Sequence, residues 1–159
     1  MWESDHDEPY PTGTTPMLYN VLVVEDDRRA AQGLAALIGV LGHTVVIAYG
    51  PRMALQQLNE VIPDVIFMDI NMPGIDGVEV LRFLRSDPLT ADVPVIIVSG
   101  EDQPVTKQAA FDAGANDYLV KPPTLEQIEA ALDKVIHLTQ PEDPGQSSKP
   151  DGISPANAA

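Results

Sequence analysis

Short apolar runs and amphipathic stretches alternate along the middle of the chain. Val21–Val24, Thr44–Ala48, Val65–Met68, Val93–Val98 and Tyr118–Val120 are almost wholly apolar. Runs this short, without polar alternation, predict strands buried on both faces, as in a parallel sheet. Between them a helical period of about 3.6 recurs. It predicts helices over Arg28–Leu41 (Leu34, Leu37, Ile38, Leu41), Arg52–Val61 (Met53, Leu55, Leu58) and Val78–Arg85 (Val80, Leu81, Leu84). A weaker pattern covers Val105–Ala113 (Val105, Ala109, Phe111), and a clear one Leu125–Leu138 (Leu125, Ile128, Leu132, Val135, Ile136).

The ends of these helices carry their own marks. Gly50-Pro51 puts a proline in a first turn, where its missing N–H costs nothing. Asp76 to Glu79 and Thr124 to Gln127 have capping-box spacing. Gly42 and Gly114 stand where a left-handed C-terminal cap is expected. Strand–helix alternation of this kind predicts an α/β fold, an open parallel sheet wound on both faces by right-handed crossovers. Ligands in that class bind beyond the carboxyl ends of the strands, at the switch in strand order.

Composition narrows the function classes. The chain has 9 basic and 24 acidic residues and a net charge of −15. Such a surface is repelled by phosphate backbones, so no nucleic-acid partner is expected. There is no cysteine for a disulfide or thiolate metal site. No apolar run reaches the roughly 20 residues of a membrane span, and the acidic start does not resemble a secretory leader. A cytoplasmic protein with no membrane insertion is expected. Residues 1–18 and 140–159 are polar, proline-containing and without apolar period, and are expected to be disordered flanks of one domain at 19–139.

The polar residues at the strand tips suggest the chemistry. Glu25, Asp26 and Asp27 follow the first apolar run, Asp69 the third, Ser99 the fourth and Lys121 the fifth. The fold would gather them into one crevice. Converging carboxylates repel each other unless a hard cation joins them, and Mg²⁺ suits one or two carboxylates plus a phosphate. A carboxylate can attack phosphorus to form an aspartyl phosphate. Mg²⁺, the Lys121 ammonium and the Ser99 hydroxyl could each cover one phosphoryl oxygen. Asp27 has an ordinary reading as the N-cap of the first helix. His6, His43 and His137 show no ligand spacing; His43 follows Gly42 at a helix end, where a cation is favourable.

Four segments carry a family resemblance. DVIFMDINMPGIDGVEVLRFLR (Asp64–Arg85) resembles the phosphoacceptor segment of CheY-like response-regulator receivers. VLVVEDD (Val21–Asp27) resembles their acidic pocket, VPVIIVSGED (Val93–Asp102) their hydroxyl segment and AGANDYLVKP (Ala113–Pro122) their Lys-Pro segment. The likeness covers most of residues 18–139, in order. It implies a (βα)5 flavodoxin-like fold with five parallel strands in the order 2-1-3-4-5.

The same resemblance implies roles. Asp69 is the phosphoacceptor and, with Lys121, carries the catalysis. Asp26 binds the metal directly, Glu25 through water, Asp69 by a carboxylate oxygen and Asn71 by its carbonyl. Lys121 and Ser99 bind the phosphoryl group, Tyr118 is the aromatic switch, and the bond from Lys121 to Pro122 is cis. Gly100 departs from the alanine or threonine frequent at its position, which leaves Tyr118 unobstructed and is expected to make it mobile between rotamers before phosphorylation. Polar residues at Asn71 and Glu101 imply a short-lived acyl phosphate.

The implied protein is a switch in two-component signalling rather than a turnover enzyme. The phosphoryl donor is a histidine kinase or a histidine phosphotransfer protein, and the output a downstream protein bound at the face of the fourth helix, fifth strand and fifth helix. The flanks offer no output domain, and the protein is expected to be a monomer or a phosphorylation-dependent dimer. Three other classes compete. A binding module indifferent to phosphorylation would have no use for the Glu25, Asp26, Asp69 and Lys121 set. A phosphatase of the haloacid-dehalogenase type carries its aspartate after the first strand and usually has a cap domain; here Asp69 follows the third. A flavin protein of similar topology would place a Ser/Thr/Gly-rich loop where Glu25–Asp27 stands.

Overall fold

A computed structural model describes residues 17–136. The chain runs β1 (Asn20–Val24), α1 (Arg28–Val40), β2 (Thr44–Ala48), α2 (Pro51–Glu60), β3 (Val65–Met68), β4 (Asn71–Met72) and β5 (Ile75–Asp76). It continues as α3 (Gly77–Ser86), β6 (Val95–Ser99), α4 (Pro104–Asp112), β7 (Asp117–Val120) and α5 (Leu125–Ile136). Five strands form one parallel sheet in the order β2-β1-β3-β6-β7. Counted along the chain within that sheet, this is the expected second, first, third, fourth, fifth. Most of the flanks expected at 1–18 and 140–159 lies outside the described residues, as do His6, His137 and the last turn expected for α5. Met17 and Leu18 are described and exposed.

The apolar runs are continuous because both faces of the sheet are covered. Val21, Val23, Val65, Phe67, Ile96 and Val98 pack with α1 and α5 through Ala31, Leu34, Ile38, Ile128, Leu132 and Val135. The alternate residues Leu22, Val24, Ile66, Met68, Val95 and Ile97 pack with α2, α3 and α4 through Ala54, Leu58, Leu81, Leu84 and Ala110. β2 and β7 are the edges, and both are partly exposed.

Two helices turn differently from the expected faces. α2 buries Ala54 and Leu58, whereas Met53 and Leu55 are exposed at 40% and 39%. α4 buries Ala110 and leaves Val105 and Phe111 exposed. In both, a small alanine is among the buried positions, and the larger apolar side chains named above lie outside the packed stripe.

The caps behave as the spacing indicates, with one exception. Thr124 and Gln127 form a full reciprocal box: the Gln127 N–H donates to Thr124 Oγ1 at 3.2 Å and the Thr124 N–H to Gln127 Oε1 at 3.0 Å. Asp76 accepts from the Val78 N–H at 2.9 Å, but Glu79 turns outward to Arg82 instead of closing the box. Asp27 caps α1 through the Ala30 N–H at 2.8 Å. Gly42 and Gly114 have φ of 95° and 111°, the left-handed caps expected of them.

Among the described residues, no helix is long and apolar enough to cross a membrane.

Candidate functional site

The strand register delivers the polar residues to one edge. Val24 pairs with both Ala48 and Met68, so β1, β2 and β3 end level. The ladder then runs on through the functional residues themselves. The Glu25 N–H donates to the Ala48 carbonyl at 3.0 Å, the Asp69 N–H to Val24 at 3.1 Å and the Lys121 N–H to Ser99 at 2.8 Å. Their backbones are fixed by the sheet, and their side chains project past its edge. Because the chain leaves β1 toward β2 and leaves β3 toward β6, the crevice between β1 and β3 is the topological switch point.

Asp69 sits in that crevice, 6% exposed. Its Oδ1 accepts the Asn71 N–H at 2.9 Å, and its Oδ2 accepts from Lys121 Nζ at 2.9 Å. Lys121 Nζ also donates to Glu25 Oε1 at 2.5 Å. The bond from Lys121 to Pro122 is cis, as expected. Burial pushes the Glu25 carboxyl up to about 7, helped by neighbouring Asp69 and opposed by Lys121. Burial alone would lower the Lys121 ammonium, but its bonds to Glu25 and Asp69 outweigh this and raise it. Lys121 is thus held as a cation.

Glu25, Asp26 and Asp69 each offer an oxygen, and the three atoms lie within 4.8 Å of one another. Glu25 and Asp69 are buried while Asp26 is exposed, so the cluster opens to solvent on one side. Glu25 Oε2 is buried and has no hydrogen-bond partner among the described residues, an arrangement that costs free energy unless a cation or its water satisfies it. An all-oxygen set with two or more carboxylates fits a hard divalent ion such as Mg²⁺ and has no soft ligand for a thiophilic metal.

The remaining expected residues gather on the other side of Asp69. Ser99 is fully buried. Its Oγ lies 3.4 Å from the Asn71 side-chain amide and accepts the Glu101 N–H at 3.2 Å. The Tyr118 hydroxyl donates to the Glu101 carbonyl at 2.8 Å, and burial raises its pKa first of all. Glu101 therefore joins Ser99 to Tyr118 through its backbone.

Several features had no place in the sequence reading. Asn71–Met72 and Ile75–Asp76 form a small antiparallel hairpin closed by Pro73-Gly74, with Gly74 at φ 74°. The signal was present, since Pro-Gly is the pair a type II turn takes. Behind it, a Cβ on Gly77 would lie 2.4 Å from the Ile70 Cα, so the loop carrying Asp69 packs directly on the start of α3.

Arg85 is a second omission. Its guanidinium donates to the carbonyls of Val93 (2.7 Å), Ala91 (3.2 Å), Thr90 (3.3 Å) and Gly114 (2.9 Å) and to Asn116 Oδ1 (2.8 Å). His43 corrects an expectation. Its Nδ1 accepts the Tyr19 N–H at 3.2 Å and its ring packs on Tyr19. An acceptor nitrogen must be unprotonated, and burial lowers the pKa, so His43 is neutral rather than a cation at the helix end.

Comparison with known proteins agrees with this site. A family model described as the response regulator receiver domain matches residues 21–133. The response regulator MprA of Mycobacterium tuberculosis H37Rv is 35% identical over 131 residues, covering 82% of this chain and 56% of that protein. Its counterpart in Mycobacterium avium is 36% identical over 127 residues, 80% of this chain and 55% of the other. The chain thus spans about half the length of these curated relatives. Chemotaxis response regulator CheY4 of Vibrio cholerae superposes with a TM-score of 0.69 at 29% identity, over 75% of this chain and 99% of that one. The Francisella response regulator 1452 receiver domain gives 0.69 at 30% identity, over 77% and 99%. With the crevice, the sheet order and the family model in agreement, this chain belongs to the response regulator receiver domains of two-component signalling.

Proposed function

We propose that the chain is a phosphorylation switch whose acceptor is Asp69. The observation that carries this reading is the double hold on one buried carboxylate. Asp69 is fixed at one oxygen by the Asn71 N–H and at the other by Lys121, beside two further carboxylates.

The donor is a phosphohistidine on a separate kinase or phosphotransfer protein. An Asp69 oxygen forms a bond to phosphorus while the P–N bond breaks, and the electron pair leaves with the imidazole. Lys121 releases its hold on Asp69 and meets the incoming phosphoryl oxygens, and the Ser99 hydroxyl bonds another. Asp26 and Asp69 would hold Mg²⁺ directly, Glu25 through water and Asn71 through its carbonyl. The bound ion supplies charge neutralisation for the transferred group.

The aspartyl phosphate adds charge and acceptor oxygens beside Ser99. Ser99 is linked through Glu101 to Tyr118, so its movement is passed to the start of α4 and to β7. The face formed by α4, β7 and α5 then changes its affinity for a downstream protein or a second copy, a population shift between two arrangements. On this reading the receiver is the unit at 19–139, it meets its phosphoryl donor in the cytoplasm, and the acyl phosphate is short-lived.

Incubation with acetyl phosphate, followed by intact-mass measurement, tests the reading. Wild-type protein should gain one phosphoryl group in Mg²⁺ and none in excess chelator, and Asp69→Ala should gain none. Equal labelling of wild type and Asp69→Ala would remove Asp69 from the mechanism.

A further inference from the structure

A hollow of about 250 Å³ lies between α1 and the turn Lys121-Pro122-Pro123. Leu34 and Leu37 of α1, Phe67 and Val98 of the sheet, and the rings of Pro122 and Pro123 line it, so its walls are almost all carbon. At one end it reaches Glu25, Asp69 and Lys121.

Gly33 borders the same hollow. It is exposed and stands in the middle of α1. A Cβ added there would meet nothing within 4 Å, and its φ is not in the left-handed region. Neither backbone nor neighbour therefore requires a glycine, although glycine weakens a helix relative to alanine. What its missing side chain provides is room beside an apolar space.

Size and lining select the occupant. A dry apolar cavity of about 150 Å³ takes up benzene, and pockets for drug-sized ligands begin at about 300 Å³. A space between the two fits one or two fused rings. A charged head placed among these walls would lose its water without gaining a partner.

We propose that the hollow binds a neutral aromatic molecule of one or two fused rings, and that its occupant slows phosphorylation of Asp69. The second half rests on the phosphoacceptor reading. Lys121 lines the hollow while its ammonium is held by Glu25 and Asp69, and the proposed transfer needs it to leave Asp69. A ring packed beside Lys121 binds the arrangement with that hold intact better than the arrangement without it, which shifts the population toward the unphosphorylated form.

Indole is the probe; indole-3-acetate and tryptamine present the same ring with a negative and a positive charge. Methyl NMR of the full-length protein reads binding at Leu34, Leu37 and Val98. Intact mass with acetyl phosphate in Mg²⁺ reads the labelling rate. Indole should shift these methyl signals saturably and bind more tightly than either charged relative. Gly33→Leu puts a side chain into the hollow and should weaken indole binding about tenfold or more, with a melting temperature no lower than that of wild type. Should leucine lower it, Gly33→Ala, a smaller filling, must still weaken binding. Saturating indole should slow labelling of wild type about threefold or more and leave that of Gly33→Leu unchanged. Absence of saturable shifts, equal binding to Gly33→Leu, or tighter binding of a charged relative overturns the site. The same methyl shifts produced by raising protein concentration without indole would assign the hollow to a second copy and overturn it too. Saturable binding with an unchanged labelling rate overturns the coupling and leaves the site. If wild type takes up no phosphoryl group without indole, the phosphoacceptor reading fails, and the methyl shifts still decide the site.

Discussion

Lys121 Nζ lies nearer to Glu25 Oε1, at 2.5 Å, than to Asp69 Oδ2, at 2.9 Å. The lysine thus divides one positive charge between Glu25, proposed to serve a metal, and Asp69, the proposed phosphoacceptor. Replacing it with methionine leaves two buried carboxylates without their cation. Lys121→Met should lose on the order of a hundredfold in the rate of labelling by acetyl phosphate, the range of a lost electrostatic stabiliser. Stopped-flow or quench kinetics on wild type and Lys121→Met would check this. An unchanged rate would leave Lys121 a purely structural residue.

Mg²⁺ should stabilise the fold through the three carboxylates. At a concentration about a hundred times its dissociation constant, a bound ion adds roughly 2.7 kcal/mol. Thermal melts with and without Mg²⁺ should show a rise in wild type and a much smaller one in Asp26→Asn, whose exposed side chain has little role in packing. Equal rises in both proteins would move the ion elsewhere.

His43 should make stability depend on pH. The ordinary imidazole value is 6.5, and burial lowers it in the folded chain, while Asp133 opposes that shift. A histidine with a lowered folded pKa favours folding when neutral. Its contribution is complete above 6.5 and is lost as pH falls toward the folded value, because the unfolded chain then takes up the proton first. Urea melts between about pH 8 and pH 5 should show a loss of stability on the acid side that His43→Gln removes. A slope that persists in His43→Gln would assign it to other groups.

Arg85 should matter to folding more than to chemistry. Its guanidinium ties the end of α3 to the strand entering β6 and to the turn after α4. Arg85→Met strands several carbonyls and should cost about 2–4 kcal/mol in urea unfolding, given that a hydrogen bond to a charged group contributes roughly 1.5–3 kcal/mol net and that the bonds of one side chain do not add. Gly114→Ala should also destabilise, since φ is 111° and its Cβ would stand 2.8 Å from the Arg85 Cγ. Stability within experimental error of wild type in both variants would remove the knot from the folding argument.

The strands were legible because burial on both faces writes an unbroken apolar run, as in Val65–Met68. The acids and Lys121 were legible because each directly follows such a run. Contacts made by long side chains were not. Arg85 bonds mainly to backbone carbonyls, which carry no residue-specific mark, and Lys107 reaches the Tyr118 ring, eleven positions away, only because α4 packs beside β7. The apolar period misplaces the faces of α2 and α4 for a related reason: the buried Ala54 and Ala110 are small and weakly hydrophobic, and leave little mark in the pattern.

The sheet's unequal burial divides the labour of the site. Glu25 and Asp69 rise from β1 and β3, interior strands buried along most of their length, whereas Tyr118 and Lys121 belong to or follow the half-exposed edge strand β7. Edge strands open at lower free energy than interior ones. Amide exchange should therefore find a slow floor that retains the acidic cluster and a faster rim that reads it. On the proposed function, mild denaturant would then loosen Tyr118 on the rim before it disturbs the acidic cluster on the floor.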